Sequence, residues 1–363
     1  MLVEGAILDR DGPRRAAVRL RDGRVVEVGQ PGTVRRRGDE RRIHGIVVPA
    51  PVNGHTHLGD SVSTREPPAG PVESLVGAPD GYKFRLLSER SPAEKTRAIR
   101  AALRRMRADG TSAVIDFREE GAPGIRLLRA AANGSGVRTL ILGRPLRRPI
   151  DPVELSEVLA AGDGIGLSSA RDEAPETREI VARACRLADK RFALHASEAV
   201  REAPESYLRP RPDLLVHLAE ATPDDLHAVA AAKVSVVVCP RSNALFGRQP
   251  NLAGMEKEGI RMMLGTDNAM FHAPSIWREL EFAYVGTRLR GRPASAEFLA
   301  RSVLVEPYRW LGAPDAASIS AGSDAVPLVL RLPSDDPAYQ VVTRTTEHLI
   351  VRPGGSGRKG PSR

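Results

Sequence analysis

A chain of 363 residues is long enough for one (β/α)8 barrel of ~250 residues together with a smaller accessory unit. Its 41% apolar and 27% charged content lies near the globular average and excludes an intrinsically disordered chain. The formal charge of +9 would suit nucleic acid, yet the basic residues are spread between acidic neighbours. The local runs, Arg35-Arg36-Arg37 and Arg358-Lys359, are not interleaved with aromatics, so no nucleic-acid partner is expected.

Residues 1 to about 48 read as short strands broken by turns: Leu2–Leu8, Ala16–Leu20 and Val25–Val28, with Asp22-Gly23 as a hairpin signal. From residue 49 to 317 the pattern becomes β-branched apolar runs separated by helical stretches, the form of repeated βα units around a parallel sheet. The predicted barrel strands are Ile46–Val52, Ser112–Phe117, Thr139–Leu142, Ile165–Leu167, Phe192–His195, Leu214–His217, Val234–Cys239 and Arg261–Leu264. Helical periodicity is clearest in Ala93–Arg107 and in Glu176–Asp189, which follows Pro175. Ala325–Leu332 and Gln340–Val351 return to strand pattern and are expected to join the N-terminal strands, because a short β unit cannot bury a face alone. The expected architecture is thus α/β: a (β/α)8 TIM barrel over residues 49–317, with a small β-sandwich composed of residues 1–48 and 318–352. The Gly/Ser-rich, charged tail 353–363 is expected to be disordered.

Cys185 and Cys239 are too far apart in sequence for a CxxC metal site and too few for a disulfide framework. The N-terminus lacks the basic and apolar regions of a signal peptide, and no run approaches the ~18 apolar residues that span a bilayer. A cytoplasmic location without membrane partners is expected, with homo-oligomerisation left open.

The most informative stretch is Pro49-Ala-Pro-Val-Asn-Gly-His55-Thr56-His57. Side chains two apart on a strand share a face, so both imidazoles can be presented to one ion at the mouth of the first barrel strand. His195 and His217 each end an apolar run, and a barrel directs strand ends toward one common face. Asp267 follows the apolar Met262-Met263-Leu264, where a carboxylate needs a partner such as a cation. His44, His227, His272 and His348 match no such position.

This ordered set resembles the cytosine deaminase-like branch of the amidohydrolases, which includes adenosine-type deaminases, guanine deaminase and the triazine hydrolases. The matching features are HxH at the first strand, His195-Ala-Ser-Glu198 at the fifth, His217 at the sixth, Cys239-Pro-Arg-Ser-Asn243 after the seventh and Gly265-Thr-Asp267 at the eighth. The resemblance implies His55, His57, His195 and Asp267 as ligands of one divalent ion, zinc or alternatively iron. Three nitrogen donors and one carboxylate suit those metals better than magnesium or calcium. The fourth-strand stretch Ile165–Arg171 offers no lysine to carry a second ion. In the implied mechanism the ion lowers the pKa of a water toward ~7. Asp267 accepts the water proton, Glu198 shuttles a proton to the leaving nitrogen and His217 orients the reactants. Arg241 and Asn243 either contact substrate or fix their loop; Asp60 and Ser61 are candidates to brace His57.

Hydrolytic deamination of an aminated heterocycle (a purine, pyrimidine or nucleoside) leads among small-molecule substrates. Release of an amide, alkylamine or halide from a related compound is the alternative, and a retired barrel serving as a binding protein is a third reading. The segment Val62–Ser91 lacks the long helical insertion of many base deaminases. With 4% aromatics no stacking platform is evident, Phe246, Phe271 and Trp277 being the nearest candidates.

Overall fold

The computed structural model describes residues 1–147, 149–346 and 350–351; the tail 353–363 and His348 lie outside them. Four N-terminal strands come first: β1 (Leu2–Asp9), β2 (Gly12–Arg21), β3 (Arg24–Gly29) and β4 (Arg42–Pro49). Asp22 and Gly23 turn the β2–β3 hairpin with φ of 50° and 77°, the left-handed pair that matches strand twist.

Nine parallel segments follow: β5 (Val52–His57), β6 (Ala113–Arg118), β7 (Arg138–Gly143), β8 (Gly164–Ser169), β9 (Arg191–Ala196), β10 (Leu214–His217), β11 (Ser235–Val238), β12 (Met262–Leu264) and β13 (Asp267–Asn268). β12 pairs with β11 while β13 pairs with β5. They are successive parts of one stretch, so the sheet curls round and meets itself in a TIM-barrel-like α/β fold. At the junction Gly265 donates to the Val238 carbonyl and Thr266 to that of His55. A Cβ on Gly265 would come 2.5 Å from that of His55, so only glycine lets the chain cross there. Ile115, Phe117, Leu142, Val216, Val237 and Met263 fill the interior, as packed layers do in such barrels.

The first barrel strand was expected at Ile46–Val52. Ile46–Pro49 instead belongs to β4 of the other sheet, and the barrel begins at Val52. Pro49 and Pro51 lack the N–H groups a continuous ladder needs and so divide the two strands. The HxH pair therefore lies within β5, at its C-terminal end.

β14 (Pro327–Leu330) and β15 (Ile350–Val351) return to the N-terminal strands in a six-stranded sheet of order β15-β14-β4-β1-β2-β3. β1 and β4 run parallel, and the other pairs are antiparallel. A two-sheet sandwich was expected, but the described residues form this one mixed sheet. One face clusters Val3, Ile7, Val18, Ile43, Val47 and Val329. On the other, Leu8, Ile46, Val48, Leu328 and Leu330 join the core around the barrel, and that contact removes the need for a second sheet. The expected strand Gln340–Val351 is also corrected: Pro337–Arg344 is a helix, and only Ile350–Val351 extends the sheet. Asp336 caps it by accepting from the Tyr339 amide, with Pro337 at its first position. Ala338, Val341 and Val342 then bury one helical face, a spacing that overrides the β-branched Val-Val pair.

Candidate metal centre

The C-terminal ends of β5, β9, β10 and β13 bring His55, His57, His195, His217 and Asp267 together, all buried. The ring centroids of His55 lie 4.9 Å from His57, 5.0 Å from His195 and 5.9 Å from His217. The Nε2 atoms of His55 and His57 lie 3.3 and 3.5 Å from Asp267 Oδ1. Donor atoms of His55, His57 and Asp267 converge closely enough to share an ion; so do those of His55, His195 and His217, and those of His217, Cys239 and Asp267. The four expected ligands are thus divided between two sets that share His55, with His195 in one and His57 and Asp267 in the other. Burial holds the Cys239 thiol well above its usual range.

Hydrogen bonds at the far ring nitrogens separate the histidines by role. His57 Nδ1 faces the Phe117 carbonyl at 2.9 Å and Glu119 Oε1 at 2.6 Å, and His195 Nδ1 faces the Leu167 carbonyl at 2.8 Å. Both partners only accept, so each Nδ1 keeps its proton and each Nε2 offers a lone pair to the site. At His217 the Asn243 amide donates to Nδ1 across 3.2 Å, which leaves Nε2 protonated, 3.5 Å from Glu198 Oε1. Neither nitrogen of His55 has a hydrogen-bond partner, although the ring is fully buried. Burial pushes its pKa down to about 3 and holds His57 and His195 below the usual imidazole value, with Lys83 adding to the effect at His57 and His55 at His195. Neutral imidazoles beside one ionised carboxylate form a donor set that fits a borderline cation, which would also give the orphaned His55 Nε2 a partner.

Asp267 is oriented by Ser242 Oγ, donating to Oδ2 at 2.6 Å, and by Asn268 Nδ2, donating to Oδ1 at 2.9 Å. Burial alone would raise its pKa, but the close approach of His55 and the neighbouring His217 and His57 imidazoles hold it well below the usual carboxylate range. His217 and Asp267 have φ of 79° and 55°. Such left-handed backbone in non-glycine residues costs about 1–3 kcal/mol each and persists where the surroundings fix it.

The centre opens into a pocket of about 480 Å³ lined by His57, His195, His217, Asp267 and Glu198. Burial raises the Glu198 carboxyl above its ordinary value, against the opposing pull of His217. The segment 62–91 covers the pocket with two short helices, α1 (Val72–Val76) and α2 (Tyr82–Ser88), which contribute Glu73, Lys83 and Arg85 to the wall. Arg171 at the end of the fourth strand's loop holds Glu73 at 2.8 Å.

Arg241 and Asn243 are absent from the lining. Arg241 accepts its position from Glu279, which takes its backbone N–H at 2.7 Å and lies 3.7 Å from its guanidinium; Asn243 acts on His217. Of their two readings, the placement favours fixing the loop. The Asp60 and Ser61 side chains do not hydrogen-bond His57: the Asp60 oxygens and Ser61 Oγ lack hydrogen-bond partners, and burial raises the Asp60 carboxyl well above its usual range. His272 has no hydrogen-bond partner and is in none of the convergent sets, and His227 is exposed on Glu258.

A charged network beside His57 was not anticipated. Glu119 Oε1 lies 2.6 Å from Lys83 Nζ, and Glu119 Oε2 accepts from Arg118 Nη2 at 2.5 Å. Asp116 Oδ2 accepts from Thr56 Oγ1 and the Leu58 amide, fixing the end of β5. Arg118 and Glu119 sit at the end of an apolar strand, the same signal that identified His195. Lys83 gave no such signal, because it arrives on a helix.

The family model described as "Amidohydrolase family" matches residues 46–209 and 204–352. The chain belongs to the amidohydrolase family. It is a hydrolase. It is 34% identical over 372 residues to a Methanothermobacter thermautotrophicus protein provisionally named aminohydrolase, covering 93% of this chain and 92% of that one. A protein of the same provisional name from Archaeoglobus fulgidus is 35% identical over 66% of this chain and 68% of its own length. Among solved structures, a zinc-bound adenosine deaminase from Xanthomonas campestris superposes with a TM-score of 0.76 at 17% identity, covering 96% of this chain and 90% of that one. Atrazine chlorohydrolase from Arthrobacter aurescens, complexed with zinc, also gives 0.76 at 17% identity, covering 97% and 95%. Guanine deaminase from C. acetobutylicum, with guanine bound, gives 0.69 at 12% identity, covering 96% and 97%. At these identities the structures speak for the fold alone. No helix among the described residues is long and apolar enough to cross a membrane.

Proposed function

We propose that this amidohydrolase is a metal-dependent aminohydrolase that releases ammonia from a small aminated molecule, with a barrel that begins at Val52 and a composite terminal unit built from β1–β4, β14 and β15. The observation that carries the reading is the meeting of two kinds of side chain at one pocket. Lone-pair donors and Asp267 converge there with His217, and a half-buried acid, Glu198, stands beside the Nε2–H of His217. His55, His57, His195 and Asp267 would hold one zinc or ferrous ion. When bound, such an ion supplies the Lewis acidity that brings water within reach of ionisation near neutral pH.

The residues then divide the proton traffic. Asp267, kept ionised and aimed by Ser242 and Asn268, accepts a proton at the carboxylate. Glu198, with its affinity for protons raised by burial, carries one to the departing nitrogen. His217 donates from Nε2 to the attacked group, and Asn243 keeps it in the required tautomer. The same groups would serve a different leaving group, as the likeness to a chlorohydrolase fold allows. Metal analysis of the pure protein, with an ammonia-release screen over purines, pyrimidines, nucleosides and triazines, tests the reading. Stoichiometric zinc or iron with ammonia release supports it; chloride or alkylamine release without ammonia favours the alternative. A metal-free protein inert toward every compound would remove both.

A further inference from the structure

Among the described residues, those lining the pocket include no Phe, Tyr or Trp. The expected platform residues are engaged elsewhere. Trp277 donates from Nε1 to the Asp109 carbonyl at 2.6 Å. Phe271 packs beside the cluster of Val62, Leu86, Leu87 and Met270, with Phe246 edge-on 5.7 Å away. A flat base would therefore forgo the ~1–3 kcal/mol that stacking on an aromatic ring supplies, and affinity has to come from directed polar contacts.

The wall carries charged groups of both signs, and Lys83 and Arg144 are its buried cations. Lys83 is 1% exposed, yet it lines the cavity. An ammonium has three donors. Lys83 Nζ donates to Asn268 Oδ1 at 3.1 Å and lies 2.6 Å from Glu119 Oε1, and the same side chain lines the cavity. Glu119 divides its carboxylate among Lys83, Arg118 and His57, so it neutralises the ammonium only in part. Arg144, also buried, lines the pocket from the end of β7. A desolvated cation in such a wall attracts an anionic oxygen far more strongly than one in water does.

We propose that the substrate carries an anionic oxygen group, a carboxylate or a phosphate, besides the amino group it loses, and that Lys83 receives that group. This inference rests on the aminohydrolase reading of the same pocket. Lys83 thereby makes the segment 62–91 a specificity element, since α2 delivers the cation to the metal centre.

Two measurements on the zinc-loaded protein test it. In the first, ammonia release is compared within matched pairs: nucleosides against their 5′-monophosphates, and aminopyrimidines against their carboxylates. A charge-assisted hydrogen bond is worth about 1.5–3 kcal/mol, so kcat/KM should favour the anionic member by about tenfold to a hundredfold. Lys83→Gln should collapse that ratio toward unity, chiefly through KM. The monophosphate and carboxylate arms show which anion the site prefers. Equal use of both members by the wild type, or an unchanged ratio in Lys83→Gln, overturns the inference while leaving the aminohydrolase reading intact. In the second, calorimetry follows binding of inorganic phosphate and of succinate. Binding at least about tenfold weaker in Lys83→Gln at equal zinc content supports the anion site, even if no compound yields ammonia. Binding that is equal in the two proteins, or absent from the wild type whether or not the variant folds, overturns it.

Discussion

The histidine side of the pocket and its lysine side are equally buried but are assembled by different means. His55, His57, His195 and Asp267 stand on parallel strands of one sheet, and backbone carbonyls or side chains orient most of them. Lys83, Glu119, Arg118 and Asp116 come from a helix and the end of one strand, β6, and they hold one another by charge. Strand geometry fixes the first group before any ligand arrives, whereas each member of the second depends on its neighbours remaining in place. The ligand wall should therefore tolerate loss of outer partners with graded effects, and the charged wall should respond as a unit.

The largest expected effect breaks the histidine side outright. His55→Ala should lose both the bound metal and turnover, read by metal analysis and ammonia release; retained metal would remove His55 from the ligand set. Glu198→Gln comes next. It should keep the metal and lose turnover by about 10²–10⁴-fold, and full activity would mean that another group moves the proton. As a control distant from both walls, Ile7→Ala in the terminal sheet should cost about 2–5 kcal/mol of stability by leaving a cavity, with metal content unchanged; denaturant unfolding checks this. Glu119→Gln joins the two sides, because it weakens the hold on His57 Nδ1 and leaves Lys83 and Arg118 underneutralised. Metal affinity should fall about tenfold to a hundredfold, and competition with a chelator measures it.

The smallest effect concerns pH. Burial pushes the Glu279 carboxyl up to about 8, with Arg241 opposing. A carboxyl raised on folding binds its proton more tightly in the native state. Its contribution to stability is thus complete below the ordinary carboxylate pKa and is lost as pH rises through the raised value. The thermal midpoint should fall by a few degrees between about pH 6 and pH 9, and Glu279→Gln should flatten that slope. An unchanged slope in the variant would assign the pH dependence to other groups.

How much the sequence disclosed follows the same division. HxH declared itself because residues two apart on a strand share a face, and His195 and His217 declared themselves by ending apolar runs. Arg118-Glu119 ends such a run as well, and reading strand ends for acids and cations as well as for imidazoles would have found it. The terminal sheet was harder. Val341-Val342 reads as strand by propensity, but the Asp336-Pro337 cap and the apolar spacing of the following turn make a helix.

By itself, then, the amino-acid sequence determined the periodicity of the strands, the residue types at their ends and hence the kind of ion and chemistry the barrel mouth suits, since these depend on local spacing. Only the tertiary structure decided which tautomer each histidine adopts, that the terminal strands need no facing sheet, and that Lys83 reaches the centre from 26 positions beyond His57. Those outcomes depend on contacts between segments distant in sequence, where burial, charge and available partners are settled only once the chain has closed on itself.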